Sequence, residues 1–456
     1  MIKKYHHKKI KLLLGDSIFI VLAIYLAGLI RFGKIENFLV NELPETFFFV
    51  FVHLGMFYLF DLYNFRLRFK STFFAARFIF ALASATIIIG VTYYLIPALQ
   101  FGRGIFLLNS LFILFVVFGW RILYQSKLLN GVKPHKIVII GAGVQGKLIY
   151  EMLKDHDLFA IVGFLDDNPK ATGANAVGAK ILGPTDLLSE MVRNRSIEAA
   201  VLAIGHNRRP ELLKACIASK MQGIEVYSMP FLYNQLTGKV PVMHIRYDWM
   251  IDTPFEGMRH SIYMVRIKRI IDIVFALTGL VLSLPISIIT IIAIKLDSKG
   301  PVFYRQNRVG QNRAVYNIIK FRSMIANAEK NGAVWAKEKD DRVTRVGKII
   351  RKLRIDEIPQ MWNVLKGEMS FVGPRPERPE FVNVLEQVVP LYAFRHAVKP
   401  GITGWAQVNY RYGASKEDAL DKLEYDLYYI KNLSLFLDLH VILKTIRVVL
   451  FVTGSR

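Results

Sequence analysis

Apolar residues gather in four long runs within the first 130 positions of the chain. The runs cover residues 12–30, 46–63, 76–96 and 105–123. A helix needs about 20 apolar residues to cross the hydrocarbon core of a bilayer, and each run comes close to that length. The pattern therefore predicts a membrane protein whose residues 1–130 form a bundle of four transmembrane helices.

Basic residues flank these runs on alternate sides. They precede the first run, separate the second from the third, and follow the fourth: Lys3, Lys4, Lys8, Lys9 and Lys11, then Arg66, Arg68, Lys70 and Arg77, then Arg121 and Lys127. Positive charge beside a membrane helix favours the cytoplasmic face. The alternation predicts that both ends of the bundle lie in the cytoplasm.

A different pattern begins after residue 130. Residues 136–140 are an apolar run typical of a buried strand, and a glycine-rich turn follows at once. The glycines of this turn are Gly141, Gly143 and Gly146. The next strand ends at Asp166, close to the spacing at which an acid binds a ribose hydroxyl. This order predicts a Rossmann-like α/β domain over residues 131–250.

Two interpretations of the α/β domain stay open. In the first, the glycine turn and Asp166 bind a nucleotide or a nucleotide-sugar. In the second, the domain is a degenerate fold kept for packing or for forming a homodimer. We expect no hydride-transfer chemistry within it.

A fifth apolar segment covers residues 264–296. Basic residues stand at both of its ends, so the positive-inside rule places both ends in the cytoplasm. Pro285 lies mid-segment, where proline removes a helix hydrogen bond and favours a kink, and Ser283 could satisfy part of the freed backbone. The pattern predicts a broken, re-entrant helix that dips into the bilayer and returns. We also expect Asp272 to pair with Arg269 or another cation, because a lone charge in a membrane is costly.

Composition agrees with a membrane location. Hydrophobic residues make up 53% of the 456 residues, which is too apolar for an ordinary soluble protein, and the formal net charge is +24. Basic residues next to apolar segments favour an anionic membrane face or a phosphate-rich substrate as the partner, rather than nucleic acid. Cys216 is the sole cysteine, so an intrachain disulfide is excluded.

The candidate chemistry centres on two adjacent acids, Asp356 and Glu357. A run of cations surrounds them in the sequence: Arg351, Lys352, Arg354, Lys366 and Arg375. Cations lower carboxylate pKa values, so we expect both acids to be ionised at neutral pH. An ionised carboxylate can act as a nucleophile or hold a metal, and the cations suit phosphate oxygens. The segment predicts phosphoryl transfer with a divalent ion.

Residues 351–376, followed by residues 399–409, resemble the bacterial polyprenyl-phosphate sugar-1-phosphate transferases. These are the monotopic phosphoglycosyl transferases that begin exopolysaccharide and O-antigen synthesis. The similarity covers residues 260–456 closely. It implies a mainly helical catalytic domain over residues 251–456, on the cytoplasmic side of the bacterial inner membrane.

The resemblance also implies a reaction. A UDP-hexose gives its sugar-1-phosphate to undecaprenyl phosphate in the bilayer and UMP is released. Asp356 would be the nucleophile and Glu357 the ligand of Mg²⁺, with Arg351 on the same helix as Asp356. The other residues expected to contact substrate are Lys320, Arg322, Arg375, Trp405, Gln407 and Asn409.

Each of these contacts has an alternative. The cations could instead form structural pairs with Glu357, Glu368 or Asp426, and Trp405 could anchor an interface rather than stack on uridine. The glycine turn leaves two other functions to weigh, a nucleotide-sugar oxidoreductase or dehydratase and a membrane scaffold that senses a nucleotide. No motif distinguishes glucose, galactose and N-acetylhexosamine donors.

Overall fold

The protein divides into two compact units, residues Met1–Lys133 and Pro134–Arg456. The computed structural model describes residues 2–33, 43–63, 72–97, 103–128, 134–156, 159–168, 173, 175–205, 209–245, 247–259, 261–325, 342–410 and 415–450. Of the flanking cations used to predict orientation, Arg66, Arg68 and Lys70 lie outside these ranges.

The described residues of the first unit form four apolar helices: α1 (Ile2–Phe32), α2 (Leu43–Leu59), α3 (Thr72–Leu95) and α4 (Arg103–Leu128). Helix α1 packs against α2 and α4, and α3 packs against the same two helices. Residues Lys9–Arg31 and Phe74–Leu95 are long and apolar enough to cross a membrane, whereas Leu43–Leu59 and Leu108–Tyr124 are shorter. The four predicted helices are present, and their crossing of a bilayer stays a prediction.

A buried ion pair joins the first and last of these helices. Arg121 Nη2 lies 2.7 Å from Asp16 Oδ2, its Nε donates to Asp16 Oδ1 at 3.1 Å, and both side chains are 0% exposed. The sequence pattern counted Arg121 among the cations flanking the fourth run. That assignment is wrong, because Asp16 neutralises the arginine inside the unit and so lets it be buried.

The second unit begins with the α/β domain. Its strands are β1 (His135–Ile140), β2 (Phe159–Leu165), β3 (Asn175–Ala176), β4 (Ala179–Gly183), β5 (Ala199–Leu202) and β6 (Glu225–Ser228). They lie in the order β3-β4-β2-β1-β5-β6, all parallel except the β3–β4 pair. The helices of the domain are α5 (Val144–Leu153), α6 (Leu187–Arg193), α7 (Pro210–Met221) and α8 (Met229–Thr237).

The remaining elements are mainly helical. The helices are α9 (Tyr247–Asp252), α10 (Lys268–Asp297), α11 (Arg345–Lys352), α12 (Gln360–Lys366), α13 (Pro379–Val388), α14 (Trp405–Asn409), α15 (Lys416–Lys431) and α16 (Leu435–Leu450). Strands β7 (Phe303–Val309) and β8 (Val315–Phe321) form a hairpin, and β9 (Ser370–Val372) pairs in parallel with β10 (Gly401–Thr403).

Helix α10 corresponds to the predicted fifth segment and runs through Pro285 without interruption, so the predicted break at Pro285 is wrong. Its buried positions recur at four-residue intervals near each end: Lys268, Asp272, Ala276, Thr290 and Ile294. The opposite face exposes aliphatic side chains such as Val281, Leu282 and Ile289. The helix therefore lies along the rest of its unit with one face and presents an apolar surface with the other.

Both ends of α10 are fixed to the same unit. Near the first end, Lys268 Nζ lies 2.6 Å from Asp438 Oδ2. At the other end, Asp297 Oδ2 accepts a hydrogen bond from the backbone of Val346 at 3.1 Å. Asp272 accepts from Ser370 Oγ at 2.9 Å. Of the cations that the prediction allowed, Lys268 rather than Arg269 is the one whose charge acts on Asp272.

The linker after the α/β domain packs into the transferase region. Val240 and Val242 are buried in the same core as Val372 and Leu427. Glu424 on α15 accepts hydrogen bonds from the Tyr233 hydroxyl at 3.0 Å and from the Val242 backbone at 3.2 Å. Residues before 251 therefore stabilise the region that follows.

Candidate active site

Asp356 and Glu357 lie on a short 3₁₀ turn, Ile355–Glu357, rather than on a longer helix. Helix α11 ends at Lys352, and Arg354 then adopts a left-handed conformation with φ +56°. This conformation reverses the chain and breaks the single helix that the sequence suggested for Arg351 and Asp356. Both acids are 8% exposed.

Three cations surround the Glu357 carboxylate. Its Oε1 lies 2.8 Å from Arg375 Nη2 and 3.3 Å from Lys320 Nζ, and its Oε2 lies 3.7 Å from Arg354 Nη1. Burial alone would raise the pKa of Glu357, but Arg375, Lys320 and Arg354 outweigh burial and hold this pKa well below the usual glutamate range. Glu357 is therefore ionised at neutral pH, as predicted.

Asp356 is in a different electrostatic situation. Burial raises the pKa of Asp356 and the adjacent Glu357 raises it further, against the opposing effects of Lys320, Arg351 and Arg375. The expectation that cations lower both carboxylate pKa values is thus wrong for Asp356. Among the described residues, no side chain forms an ion pair with its carboxylate, whereas Glu357 has three such neighbours.

The loop that carries Arg375 is fixed by its backbone. The Arg375 carbonyl accepts a hydrogen bond from Arg395 Nη2 at 2.9 Å, and the Pro374 carbonyl accepts from the Gly401 N–H at 2.9 Å. The carbonyl of the next proline accepts from Arg308 Nη1 at 3.0 Å. Three separate donors therefore set where the Arg375 guanidinium projects.

Lys320 and Arg322 share strand β8 or its end, but the structure separates their roles. Lys320 reaches Glu357, whereas Arg322 Nη2 donates to the Ser298 carbonyl at 2.7 Å and Nη1 donates to the Lys299 carbonyl at 3.1 Å. Arg322 thus satisfies carbonyl groups at the end of α10. Its geometry supports the structural alternative.

Trp405, Gln407 and Asn409 bind other parts of the protein. Trp405 Nε1 donates to the Gly238 carbonyl at 2.9 Å, and its ring stacks on that of Tyr428 with centroids 5.5 Å apart. Gln407 Nε2 donates to a carbonyl in β10, and Asn409 Nδ2 donates to the Trp405 carbonyl. These contacts favour an interface anchor over a uridine site.

The glycine turn has the backbone that the sequence predicted. Gly141 has φ +103°, and a Cβ on Gly146 would collide with the Gly141 carbonyl oxygen, whereas a Cβ on Gly143 would meet no atom within 4 Å. However, Asp166 Oδ2 already accepts a hydrogen bond from the Ala142 N–H at 2.7 Å. A nucleotide phosphate at this turn would meet a carboxylate.

A Tyr-x-x-x-Lys spacing, which the expectation of no hydride-transfer chemistry took to be absent, occurs at Tyr150 on α5 and Lys154 just after it. Lys154 pairs with Glu151, and the Tyr150 ring packs against Phe164 with centroids 5.8 Å apart. The Tyr150–Phe164 contact joins the helix to β2, the Lys154–Glu151 pair is local to the helix end, and neither supports hydride transfer.

The donor set at the acids fits one kind of divalent site. No group of three or more His, Cys, Asp or Glu side chains is placed to hold a metal within the described part of the chain. Mg²⁺ is commonly held by one or two carboxylates together with substrate phosphates. Two adjacent carboxylates therefore suit an ion that binds jointly with a diphosphate.

Two arginines of the site were missed from the sequence. Arg395 and Arg308 fix the Arg375 loop, yet each is distant from Arg375 in the chain and belongs to no motif that was singled out. Their role depends on contacts between separate elements, which local sequence patterns do not record.

The geometry defines a class of protein: a membrane-associated chain with a buried Asp–Glu pair that cations surround. The bacterial sugar transferase family matches residues 263–452, and the PglD N-terminal domain matches residues 136–212.

Among curated relatives, the chain is 46% identical over 233 residues to a UDP-N-acetylgalactosamine-undecaprenyl-phosphate N-acetylgalactosaminephosphotransferase of Aeromonas hydrophila, covering 51% of this chain and 54% of that protein. It is 32% identical over 326 residues to the UDP-glucose:undecaprenyl-phosphate glucose-1-phosphate transferase of Escherichia coli K12, covering 70% and 68%. It is also 50% identical over 129 residues to a putative undecaprenyl-phosphate N-acetylgalactosaminyl 1-phosphate transferase of Bacillus subtilis, covering 28% and 72%.

The chain belongs to the bacterial polyprenyl-phosphate sugar-1-phosphate transferase family. The resemblance drawn from residues 351–376 and 399–409 is thus confirmed. The chain spans about half the length of the Aeromonas relative, 54%.

Proposed function

We propose that this protein transfers a hexose-1-phosphate from a UDP-sugar to undecaprenyl phosphate and releases UMP. The observation that carries the proposal is the asymmetry of the acid pair. Glu357 is neutralised by Arg375, Lys320 and Arg354, whereas the Asp356 carboxylate has no ion-pair partner among the described residues. One acid is therefore held in place and the other is available to react.

In the first step, an Asp356 carboxylate oxygen forms a bond to the β-phosphorus of the donor. The bond from that phosphorus to the bridging oxygen breaks, and its electron pair leaves with UMP. In the second step, an oxygen of the lipid phosphate attacks the same phosphorus, the aspartyl O–P bond breaks, and the Asp356 carboxylate is restored. Dividing the transfer lets two bulky substrates use one site in turn.

Lys320, Arg351 and Arg375 are the proposed phosphate ligands. Lys320 and Arg375 already converge on Glu357, and all three lie close enough to Asp356 to favour its charged form. Phosphoryl transfer depends largely on positioning and on neutralising charge at the phosphoryl oxygens. Arg375 offers a planar fork that suits two phosphate oxygens.

Mg²⁺ is the proposed cofactor. Glu357, with Asp356 beside it, would hold the ion together with the donor diphosphate. When bound, the ion would neutralise charge on the phosphate oxygens. The protein's own part is to keep Glu357 ionised and fixed, which its three cationic neighbours do.

The proposed location is the bacterial inner membrane, with the transferase region in the cytoplasm and the first unit as a four-helix transmembrane bundle. For α10 we propose a re-entrant course. Support comes from its two ends, since Lys268 binds Asp438 and Asp297 binds the Val346 backbone within one compact unit. A straight crossing would have to separate these contacts by the thickness of the bilayer.

Packing is the better supported role of the α/β domain. Asp166 accepts a hydrogen bond from an amide of the glycine turn, and Val240 and Val242 of the linker pack in the core of the transferase region. Homodimerisation through this domain is the second role that we propose. The oxidoreductase and nucleotide-sensor alternatives leave the Asp356–Glu357 cluster without a purpose.

The deciding experiment mixes the purified full chain with undecaprenyl phosphate and a panel of UDP-sugars, and measures UMP release and lipid-linked sugar. We expect UMP and a lipid diphosphate sugar from at least one donor, which also identifies the sugar. Absence of UMP with every UDP-hexose and UDP-N-acetylhexosamine would overturn the proposal.

A further inference from the structure

Two cations that the reaction does not use converge at the far end of helix α12. A Cβ placed on Gly367 would lie 3.6 Å from Arg269 Nη2 and 3.7 Å from Lys399 Nζ. Gly367 itself has φ +88°, the left-handed conformation that ends α12. The two cationic groups therefore border the same point on the protein.

Neither cation forms an ion pair in the described part of the chain, although the charge of Asp272 acts on Lys399 from beyond ion-pair distance. Arg269 donates to two carbonyls at the end of α12, those of Val364 at 2.5 Å and Leu365 at 2.7 Å. The Lys399 ammonium has no hydrogen-bond acceptor among the described residues, and burial, followed by the charge of Arg269, lowers the pKa of Lys399. Two like charges brought together with no acid in ion-pair contact make a site that an anion would stabilise.

The nearest acids are already engaged. Asp272 accepts from Ser370 Oγ and from the Phe371 N–H at 2.8 Å. Asp438 pairs with Lys268 at 2.6 Å. Neither acid is in ion-pair contact with Arg269 or Lys399, so an external anion can occupy the position between the two cations.

An apolar surface begins directly beside these cations. After Arg269, helix α10 exposes Ile270, Val274 and Leu277, which are 60%, 54% and 50% exposed. These positions follow one another along one side of the helix. The helix belongs to a segment that is long and apolar enough to cross a membrane. A ligand suited to both features has an anionic head and a hydrocarbon tail.

The site is separate from the reaction centre. Helix α12 has seven residues and lies between Glu357 and Gly367. At 1.5 Å per residue its length is about 10 Å, so an anion beside Gly367 is too far from Asp356 to react there.

We propose that Arg269 and Lys399 bind the phosphate group of a membrane lipid, whose hydrocarbon lies along Ile270, Val274 and Leu277. The phosphate has two sources, an anionic phospholipid headgroup or undecaprenyl phosphate waiting to enter the reaction centre. The second source rests on the proposed transferase function, and the first does not.

The test uses the full chain reconstituted in bilayers of defined composition, with Lys399→Gln and, as a matched control, Lys366→Gln. Lys366 is an exposed lysine next to Gly367, so both variants lose one positive charge from the same region. Lys399→Arg keeps the charge and serves as the rescue variant. Two readouts are taken: the KM for undecaprenyl phosphate in phosphatidylcholine bilayers, and the rise in Tm produced by adding phosphatidylglycerol.

For the acceptor source, Lys399→Gln raises the KM for undecaprenyl phosphate about tenfold, since a lost charged hydrogen bond is worth about that factor. For the headgroup source, this KM stays constant and Lys399→Gln loses the Tm rise with phosphatidylglycerol. Lys399→Arg retains the wild-type result in either case. The proposal is overturned if Lys399→Gln changes neither the KM nor the Tm rise. It is also overturned if Lys366→Gln changes either quantity as much as Lys399→Gln does.

UMP release from wild type without acceptor separates this proposal from the transferase assignment. If wild type releases no UMP, the assigned reaction fails, while the Tm readout with phosphatidylglycerol still decides whether the lipid site exists.

Discussion

Arg395 donates a hydrogen bond from Nη2 to the backbone carbonyl of Arg375 at 2.9 Å. The same nitrogen lies 2.9 Å from Asp426 Oδ2, and both of these side chains are buried. Arg375 in turn binds Glu357 at 2.8 Å. The buried Arg395–Asp426 pair therefore sets the backbone position of the arginine that binds Glu357.

This relationship predicts that Asp426→Asn reduces turnover although Asp426 does not contact the acids. Loss of the carboxylate leaves Arg395 free to shift, and misplacement of a positioning group costs about tenfold to a hundredfold in rate. The measurement is kcat and donor KM from UMP release.

Two variants test whether Asp426 acts by positioning Arg375 or only by stabilising the fold. Asp421 lies on the same helix as Asp426 but pairs with Lys239 instead of Arg395. We therefore expect Asp421→Asn to keep near wild-type turnover. Arg395→Lys keeps a charge beside Asp426 but lacks the fork that serves two acceptors, so it should lower kcat as well. Equal Tm loss and equal kcat for the Asp421 and Asp426 variants would argue against a positioning role.

Asp356→Asn is expected to reduce kcat by at least about 1,000-fold, since an amide cannot replace the attacking carboxylate. The isosteric change should leave the fold intact, which elution profile and Tm can check. Wild type incubated with UDP-sugar labelled in the hexose should retain label on the protein, and Asp356→Asn should retain none. Lipid product from the variant at a substantial fraction of the wild-type rate would remove Asp356 from the covalent step.

The acids also predict a pH dependence. Burial raises the pKa of Asp356, whereas the pKa of Glu357 lies well below its usual range. Asp356 must be ionised to attack, so kcat should fall as pH decreases, with a midpoint above the ordinary aspartate pKa of about 3.9. Glu357 stays ionised through that window and adds no second acidic step.

Lys320 provides a directional check on this assignment. Its charge favours ionised Asp356, so Lys320→Met should move the acidic limb of kcat to higher pH as well as lowering the rate. If the midpoint of the acidic limb lies at or below the ordinary aspartate pKa, the limb belongs to another group. The same holds if Lys320→Met moves the midpoint to lower pH.

Divalent-ion dependence follows from the two-carboxylate donor set. Excess chelator should abolish UMP release from wild type, and added Mg²⁺ should restore it. Glu357→Gln should need a higher Mg²⁺ concentration for half-maximal rate, because an amide is a weaker ligand for a hard cation. Full activity of wild type in chelator would remove the metal from the mechanism.

The sequence predicted what repeats regularly or lies close together in the chain. The apolar runs located helices α1 to α4 and α10, and the run ending at Gly141 located β1. Adjacency alone brought Asp356 and Glu357 together. The left-handed Arg354 was not predictable, because residues other than glycine rarely adopt that conformation.

Contacts between distant segments explain the other errors. The sequence left Trp405 open between stacking on a base and anchoring an interface, and its contacts with the Gly238 carbonyl and the Tyr428 ring favour the anchor. Asp356 looked like a carboxylate with a lowered pKa because charges can be read from sequence, whereas its burial cannot. Arg121 looked like a flanking cation because its partner Asp16 lies on another helix.

The course of α10 gives the last prediction. Both of its ends are held by one compact unit, through Lys268 and Asp297, so we expect both to face the cytoplasm. Single cysteines at Ile262 and Lys299, exposed positions beyond each end, would be introduced on a Cys216→Ser background. Ser298 is a poor site because its Oγ accepts a hydrogen bond from Arg322 at 2.9 Å.

In oriented inner-membrane vesicles, a membrane-impermeant thiol reagent should label both positions from the cytoplasmic side and neither from the other. Ile96→Cys, just beyond the end of α3, is the matched control and should be labelled only from the opposite side. Labelling of Ile262→Cys and Lys299→Cys from opposite faces means that α10 crosses the bilayer. In that case the contacts at its two ends could not both form in the membrane, and the re-entrant course would be wrong.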